Sequence, residues 1–309
     1  IPELQLVDCQ VETISFEQPI DSSDMTPDLW RRIAEIIESH YDEYDGFVVL
    51  TGTDTMSYTA SALSFMLEYL RKPVIFTGSQ LPIGDLRTDA KENLITAIQV
   101  ASARENGDPK IQEVALYFEY KLYRANRTTK LSSEQFEAFD SPNFPHLAES
   151  GVRLAFNHAI LRRLNEADEG TELRVRKEMS SDVLILKLFP GITETTVRHA
   201  LSTPGLKGVV LETYGAGNAP TATWFLNCLR EAIQAGIHIV NVTQCVSGSV
   251  IQGLYATNSG LRKMGVIDGK DITTESAIAK LRYLLTFDFS DEEFKTHFER
   301  PLRGELSEF

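Results

Sequence analysis

With 309 residues, 42% of them apolar and 24% charged, the chain has the make-up of a soluble globular protein and length enough for two domains with their own cores. A net charge of −14 argues against nucleic acid as a partner, because holding phosphates needs clustered Lys and Arg. No apolar run approaches the ~20 residues that span a bilayer, and the N-terminus is not a signal peptide, so no membrane partner is expected.

Position 1 is Ile rather than Met, and the chain is expected to begin inside a longer gene product. Loose alternation through Leu6, Val7, Val11, Ile14 and Phe16 predicts a short opening strand. Asp21 to Met25 reads as a polar loop. Thr26-Pro27 then starts a helix, a cap followed by proline at the first helical position. Leu29, Trp30, Ile33, Ile36 and Ile37 give that helix one apolar face. Phe47-Val-Val-Leu50 reads as a strand buried on both faces. It breaks into Thr51-Gly-Thr-Asp-Thr55, and a helical pattern follows through Ala60, Leu63, Leu67 and Leu70.

Lys72 to Thr77 is a second buried strand, ending in Gly78-Ser-Gln-Leu-Pro82. Helix is expected from about Asp89 to Ala103 and strand from Val114 to Phe118. Lys121 to Lys130 is the most basic stretch of an acidic chain. A solvated loop is the ordinary reading of such a run; the sharper one turns a cation inward to Asp54. Residues 141–178 become hydrophilic after some short antiparallel strands, which sets the expected boundary between an N-terminal domain (1–178) and a C-terminal domain (179–309). Beyond it, strands over Val183–Leu188, Val209–Leu211 and Ile237–Val242 alternate with helices over Thr193–Leu201 and Thr221–Gln234. Helical patterns at Thr273–Leu285 and Asp291–Phe298 close the chain. The fold class is therefore α/β, a larger N-terminal and a smaller C-terminal domain with mainly parallel sheets flanked by helices.

A strand that ends in a Gly-containing polar turn and opens a helix is where open α/β sheets bind ligands. Thr53 and Asp54 occupy that turn. Thr53, Asp54 or Thr55 could equally serve only as helix caps. A threonine hydroxyl is a poor nucleophile unless a base takes its proton, and a lysine held by a carboxylate and shielded from water can be that base. Thr–Lys–Asp is thus a sensible group for acyl transfer, though spacing alone does not choose between Lys121 and Lys130. Gly215-Ala-Gly-Asn-Ala-Pro220 lacks the third glycine of a dinucleotide fingerprint and reads as a tight turn. Cys245, in Thr243-Gln-Cys-Val-Ser-Gly248, reads as buried, inert packing. Three cysteines (Cys9, Cys228, Cys245) without Cys-x-x-Cys spacing and scattered histidines call for no metal, and they favour a reducing, cytoplasmic compartment.

Taken together, these segments resemble the bacterial L-asparaginase family, and most of all its cytoplasmic type I branch. The resemblance is carried by Asp21-Ser-Ser-Asp-Met25, Tyr44-Asp-Gly-Phe-Val-Val-Leu-Thr-Gly-Thr-Asp-Thr-Met56, Thr77-Gly-Ser-Gln80, Leu122-Tyr-Arg-Ala-Asn-Arg-Thr-Thr-Lys130, Tyr214-Gly-Ala-Gly-Asn-Ala-Pro220 and Thr243-Gln-Cys245. It implies hydrolysis of L-asparagine to aspartate and ammonia through a covalent β-acyl-enzyme, without a cofactor. Thr53, Asp54 and Lys130 would form its Thr–Lys–Asp triad. Asp54 would also hold the substrate's α-amino group by a charge-assisted hydrogen bond. Asp21 and Ser22 fall where the family binds the substrate's α-amino and α-carboxylate ends. Subunits of the family pair into homodimers, often homotetramers, with sites near the interface.

One departure stands out. The family's first strand ends in a Thr-Gly-Gly-Thr turn whose second Thr is the usual nucleophile, and that tetrapeptide does not occur in this sequence. It is expected upstream of Ile1, with Thr53 as the fallback nucleophile within the chain. Some cytoplasmic members also bind a second asparagine at an allosteric site, formed by segments that here contain Thr129, Glu212, Asn218 and Cys245. Those members carry Arg where Glu212 stands, so weak or absent cooperativity is expected here. Two other readings are a glutamine-hydrolysing subunit of a tRNA-dependent amidotransferase and a binding module that keeps the amino-acid pocket without hydrolysis.

Overall fold

The computed structural model describes residues 2–163, 168, 170–251 and 256–308. The chain divides into two compact units, Ile1–Lys177 and Glu178–Phe309. In the first, the apolar runs build a six-stranded sheet ordered Phe47–Leu50, Val74–Thr77, Val114–Phe118, Lys121–Arg124, Ala148–Ser150, Leu154–Phe156. The first three strands run parallel, joined by crossovers that contain the helices Met56–Met66 and Ala90–Ser102. The remaining pairs are antiparallel. Ile75, Ala115, Tyr117 and Leu122 of the sheet pack with Ala97 and Val100 of the helix Ala90–Ser102. Each large apolar side chain buried this way contributes roughly 1.5–3 kcal/mol.

The helix Pro27–Ser39 begins as Thr26-Pro27 dictates, the Thr26 side chain accepting from Leu29 N at 3.4 Å. Its buried face is Trp30, Ile33, Ala34 and Ile37. Trp30 Nε1 donates to Thr59 Oγ1 at 3.1 Å, which ties this helix to Met56–Met66.

The second unit is a fully parallel sheet ordered Val183–Lys187, Gly208–Thr213, His238–Thr243, Ile267–Asp268. Val209, Leu211 and Ile239 of the sheet share a core with Phe225 and Leu229 of the helix Thr223–Gln234. The helices Thr274–Leu284 and Asp291–Glu299 close the unit, and a buried ion pair fastens the tail beyond them. Lys280 meets Glu305 with both side chains fully buried. Lys280 Nζ also donates to the carbonyls of Phe298 and Arg300 at 2.7 and 2.6 Å. Glu305 accepts from the amides of Leu302 and Arg303, and Ser307 bonds to Asp271.

Several sequence expectations change. The opening segment is a 3₁₀ helix, Pro2–Leu6, rather than a strand. Its apolar residues keep no single face, and Leu6 is 86% exposed. Within residues 1–309 the Phe47–Leu50 strand is half-buried rather than buried on both faces, with Leu50 59% exposed, and it stands at one end of the strand order. The helix through Ala60 stops at Met66 instead of reaching Leu70, since Leu67–Glu68 pairs with Arg174–Val175 and Tyr69 takes a φ of 60°. Lys121 to Lys130 is not a solvated loop. Lys121–Arg124 is a sheet strand, and Arg124 forms a buried pair with Glu113 at 2.6 Å. The helix Ala256–Lys263 and the strand Ile267–Asp268 are additional to the elements expected from the sequence. Part of the hydrophilic stretch before the second unit, 164–167 and 169, lies outside the described residues.

Candidate active site

The site grows from the carboxyl end of the Phe47–Leu50 strand. Thr51 N continues the ladder to Thr77 O at 3.1 Å before the chain leaves the sheet. Two glycines let the backbone pack closely here. A Cβ on Gly78 would strike the Thr51 carbonyl, and one on Gly52 would lie 2.6 Å from Ser22 Oγ. Thr55 Oγ1 donates to Ser22 O at 2.7 Å, so buried Ser22 is bonded to the Gly52–Thr55 turn and packs closely against Gly52.

The capping reading of this turn is not what the structure shows. Thr55 holds the N-cap position of Met56–Met66 without a side-chain cap bond, and Thr53 and Asp54 spend their side chains elsewhere. Lys130 Nζ donates to Thr53 Oγ1 at 2.8 Å and to Asp54 Oδ1 at 2.7 Å. Thr53 Oγ1 in turn donates to Gln80 Oε1 at 3.2 Å.

Lys130 reaches this point because the segment before it is fastened to the helix Met56–Met66. Thr128 Oγ1 donates to Ser57 Oγ at 3.1 Å, and Asn126 Nδ2 donates to Ser64 Oγ at 3.2 Å. Pairing of Thr129–Lys130 with Phe139–Asp140 then sets the direction of the side chain. Lys130 is thereby distinguished from Lys121, which lies in the sheet strand. The Lys130 side chain is 18% exposed but that of Asp54 is 68% exposed. Within the described residues the three groups therefore converge with Lys130 mostly covered and the Asp54 carboxylate exposed.

Asp21 caps its own turn, accepting from Ser23 N at 2.9 Å and Ser23 Oγ at 2.7 Å. The amide and hydroxyl of Ser23 hold its carboxyl below the usual carboxylate range. A solvated carboxylate thus stands one residue from Ser22, which abuts the Gly52–Thr55 turn.

The residues expected at an effector site fall in both units. Thr129 lies beside Lys130 in the first. In the second, the segments around Glu212, Asn218 and Cys245 meet at the carboxyl ends of the parallel strands. Gln244 Nε2 donates to Glu212 O at 2.8 Å, Thr243 Oγ1 donates to Gly215 O at 2.6 Å, and Tyr214 N donates to Asn218 O at 2.9 Å. This last bond closes the Gly215–Gly217 stretch as a tight turn. The Glu212 carboxylate accepts from Thr274 Oγ1 at 2.6 Å and pairs with Lys187 at 3.5 Å. Cys245 is exposed rather than buried, because it sits in the turn beyond the His238–Thr243 strand.

Gln80 falls in the Thr77-Gly-Ser-Gln80 match without an expected role, and Gln135 lies outside every matched segment. Side-chain bonds across 27 and 55 residues leave no trace in local periodicity. Among the described residues, no helix is long and apolar enough to cross a membrane.

A two-unit α/β chain with Thr, Asp and Lys gathered at a strand end matches a known family. The model described as "Asparaginase, N-terminal" matches residues 1–162, and "Glutaminase/Asparaginase C-terminal domain" matches residues 182–298. The chain belongs to the asparaginase family. Within it, the chain is 47% identical to L-asparaginase 1 of Escherichia coli over 99% of its own length and 88% of that protein's. It is 45% identical to the 60 kDa lysophospholipase of Mus musculus over 96% of its length, spanning 51% of that protein. The crystal structure of L-asparaginase I from Vibrio cholerae superposes with a TM-score of 0.84 at 43% identity, covering 94% of this chain and 85% of that one.

Proposed function

We propose that this protein is a type I L-asparaginase, converting L-asparagine to L-aspartate and ammonia through a threonine ester. The observation that carries the reading is Lys130 Nζ held within 2.8 Å of Thr53 Oγ1 and 2.7 Å of Asp54 Oδ1. Thr53 stands here as the fallback nucleophile within the chain, the family's usual one being the second Thr of a Thr-Gly-Gly-Thr turn. A lysine so placed, in its neutral form, can accept the hydroxyl proton as the threonine oxygen bonds to the amide carbon. The carbonyl electrons move onto oxygen. They return as the C–N bond breaks, and the proton leaves with the amine as ammonia. Water then attacks the ester, Lys130 takes its proton and returns one to the threonine oxygen, and aspartate departs. Asp54 orients Lys130 and, with its outer oxygen open to the cleft, offers a charged acceptor to the substrate's α-ammonium. Asp21 and Ser22 complete the amino-acid end of the site.

The test is ammonia release from asparagine and from glutamine by the full-length protein. Turnover of asparagine supports the reading, glutamine turnover alone favours the amidotransferase subunit, and binding without ammonia leaves only a binding module. The family resemblance adds a homodimer or homotetramer and a cytoplasmic location, both proposals for this chain.

Regulation follows from Glu212. Its carboxylate, already engaged by Thr274 and Lys187, presents negative charge where an effector's α-carboxylate would bind. The rate is therefore expected to rise hyperbolically with asparagine. A sigmoidal curve from steady-state assays would contradict this.

A further inference from the structure

We propose that Gln80 is a positioning residue for this reaction, its amide fixing the Thr53 hydroxyl against the loop that follows Lys130. The inference rests on the asparaginase reading and extends it. Gln80 Nε2 donates to Gln135 O at 2.9 Å. A carbonyl on that side requires the nitrogen there, so Oε1 is the atom that faces Thr53 and receives its hydroxyl hydrogen at 3.2 Å.

Both ends of this bridge are built. Buried Asp89 accepts from Gln80 N at 2.8 Å, from Leu81 N at 3.1 Å and from Asn93 Nδ2 at 3.1 Å. Asn93 Nδ2 also donates to Gly78 O at 3.0 Å, so the backbone that carries Gln80 is fixed on both sides. At the other end, Ser132 Oγ accepts from Glu134 N at 3.1 Å and Gln135 N at 2.9 Å, shaping the turn that presents the Gln135 carbonyl.

The consequence lies in the directions left to Thr53 Oγ1. One lone pair takes the Lys130 proton donor, and the hydroxyl hydrogen goes to Gln80. These two bonds fix where the oxygen sits at rest; for attack, the hydroxyl hydrogen turns from Gln80 to neutral Lys130. Without Gln80 the threonine loses one of the two bonds that hold this orientation, and the turn beyond Lys130 loses its anchor. Misplacement of a reacting group by an ångström costs on the order of 100-fold in rate.

The test uses the full-length protein. Gln80→Met keeps the side chain's length and removes both polar bonds. It is expected to lower kcat on asparagine by about 10- to 100-fold with KM changed by less than about 2-fold, the split expected when orientation rather than binding is lost. Amide hydrogen exchange at Glu134 and Gln135 should quicken in the same variant. Gln80→Glu supplies a second readout. Its carboxyl, when protonated, can donate to Gln135 O and accept from Thr53, whereas when ionised it cannot donate. The ratio of its kcat to the wild type's should therefore climb as pH falls through the carboxylate range. A merely structural role would give a ratio that does not change with pH. An unchanged kcat in Gln80→Met, a loss confined to KM, or a flat ratio in Gln80→Glu overturns the proposal. Failure of the wild type to release ammonia from asparagine is a separate result, which defeats the asparaginase reading and this extension with it.

Discussion

Lys130→Met is expected to lower kcat on asparagine by about 10²- to 10⁴-fold, the range contributed by a positioned proton-transfer group. The unfolding temperature should stay close to the wild type's. These two outcomes separate because of where the charges sit. The Asp54 carboxylate is 68% exposed, so removing its lysine leaves it solvated rather than stranded. Ion pairs in such surroundings stabilise a fold by only about 0–1 kcal/mol. Methionine preserves the aliphatic stem that packs beside Thr53. Loss of rate with loss of folding would mean that Lys130 is structural. Retention of near-normal kcat would remove the triad.

The converse case is the Lys280–Glu305 pair, whose side chains are both fully buried. Lys280→Met strands a carboxylate in the core and is expected to cost about 3–5 kcal/mol. Thermal denaturation should register this as a fall of roughly 10–20 °C in the unfolding temperature of the second unit. Lys280→Met combined with Glu305→Leu removes both charges and should recover much of the loss, because an apolar pair carries no desolvation penalty. Burial alone would push the Glu305 carboxyl up. The Lys280 ammonium and the amides of Leu302 and Arg303 reverse that and hold it below its ordinary value of 4.5. A depressed carboxylate stabilises the fold above its unfolded value, and the gain disappears as pH falls through the folded one. Acid unfolding of the wild type should therefore carry this group's contribution below pH 4.5, and the double variant should lack it. A double variant no more stable than Lys280→Met alone would refute the account of the pair.

How much of this was visible in the sequence depends on the range of the interaction. The runs at Val74–Thr77, Val114–Phe118 and Val183–Lys187 gave their strands directly, since short, continuous apolar runs with β-branched and aromatic residues suit a strand covered on both faces. Thr26-Pro27 gave a helix start through the chemistry of its own residues, a capping hydroxyl and a proline at the first helical position. The basic run could not be read in the same way. Arg124 and Lys121 alternate along a strand, and whether such charges face solvent or a buried Glu113 is a tertiary fact.

At the site, the Gly-Thr-Asp-Thr turn was legible because strand, glycine and hydroxyls are contiguous. Selection of Lys130 came from the family resemblance, since the bonds of Thr128 and Asn126 to the helix Met56–Met66 span 71 and 62 residues. Cys245 was misplaced by the general tendency of free cysteines to be buried, which the turn beyond its strand overrides.

The most direct measurement is a crystal structure of the full-length protein with L-aspartate, the product of the proposed reaction. The account predicts the side-chain carboxylate within hydrogen-bond distance of Thr53 Oγ1, the α-ammonium on Asp54, and Lys130 still bonded to both residues. Aspartate seated away from Thr53, or a Lys130 ammonium turned to solvent in the occupied site, would contradict it.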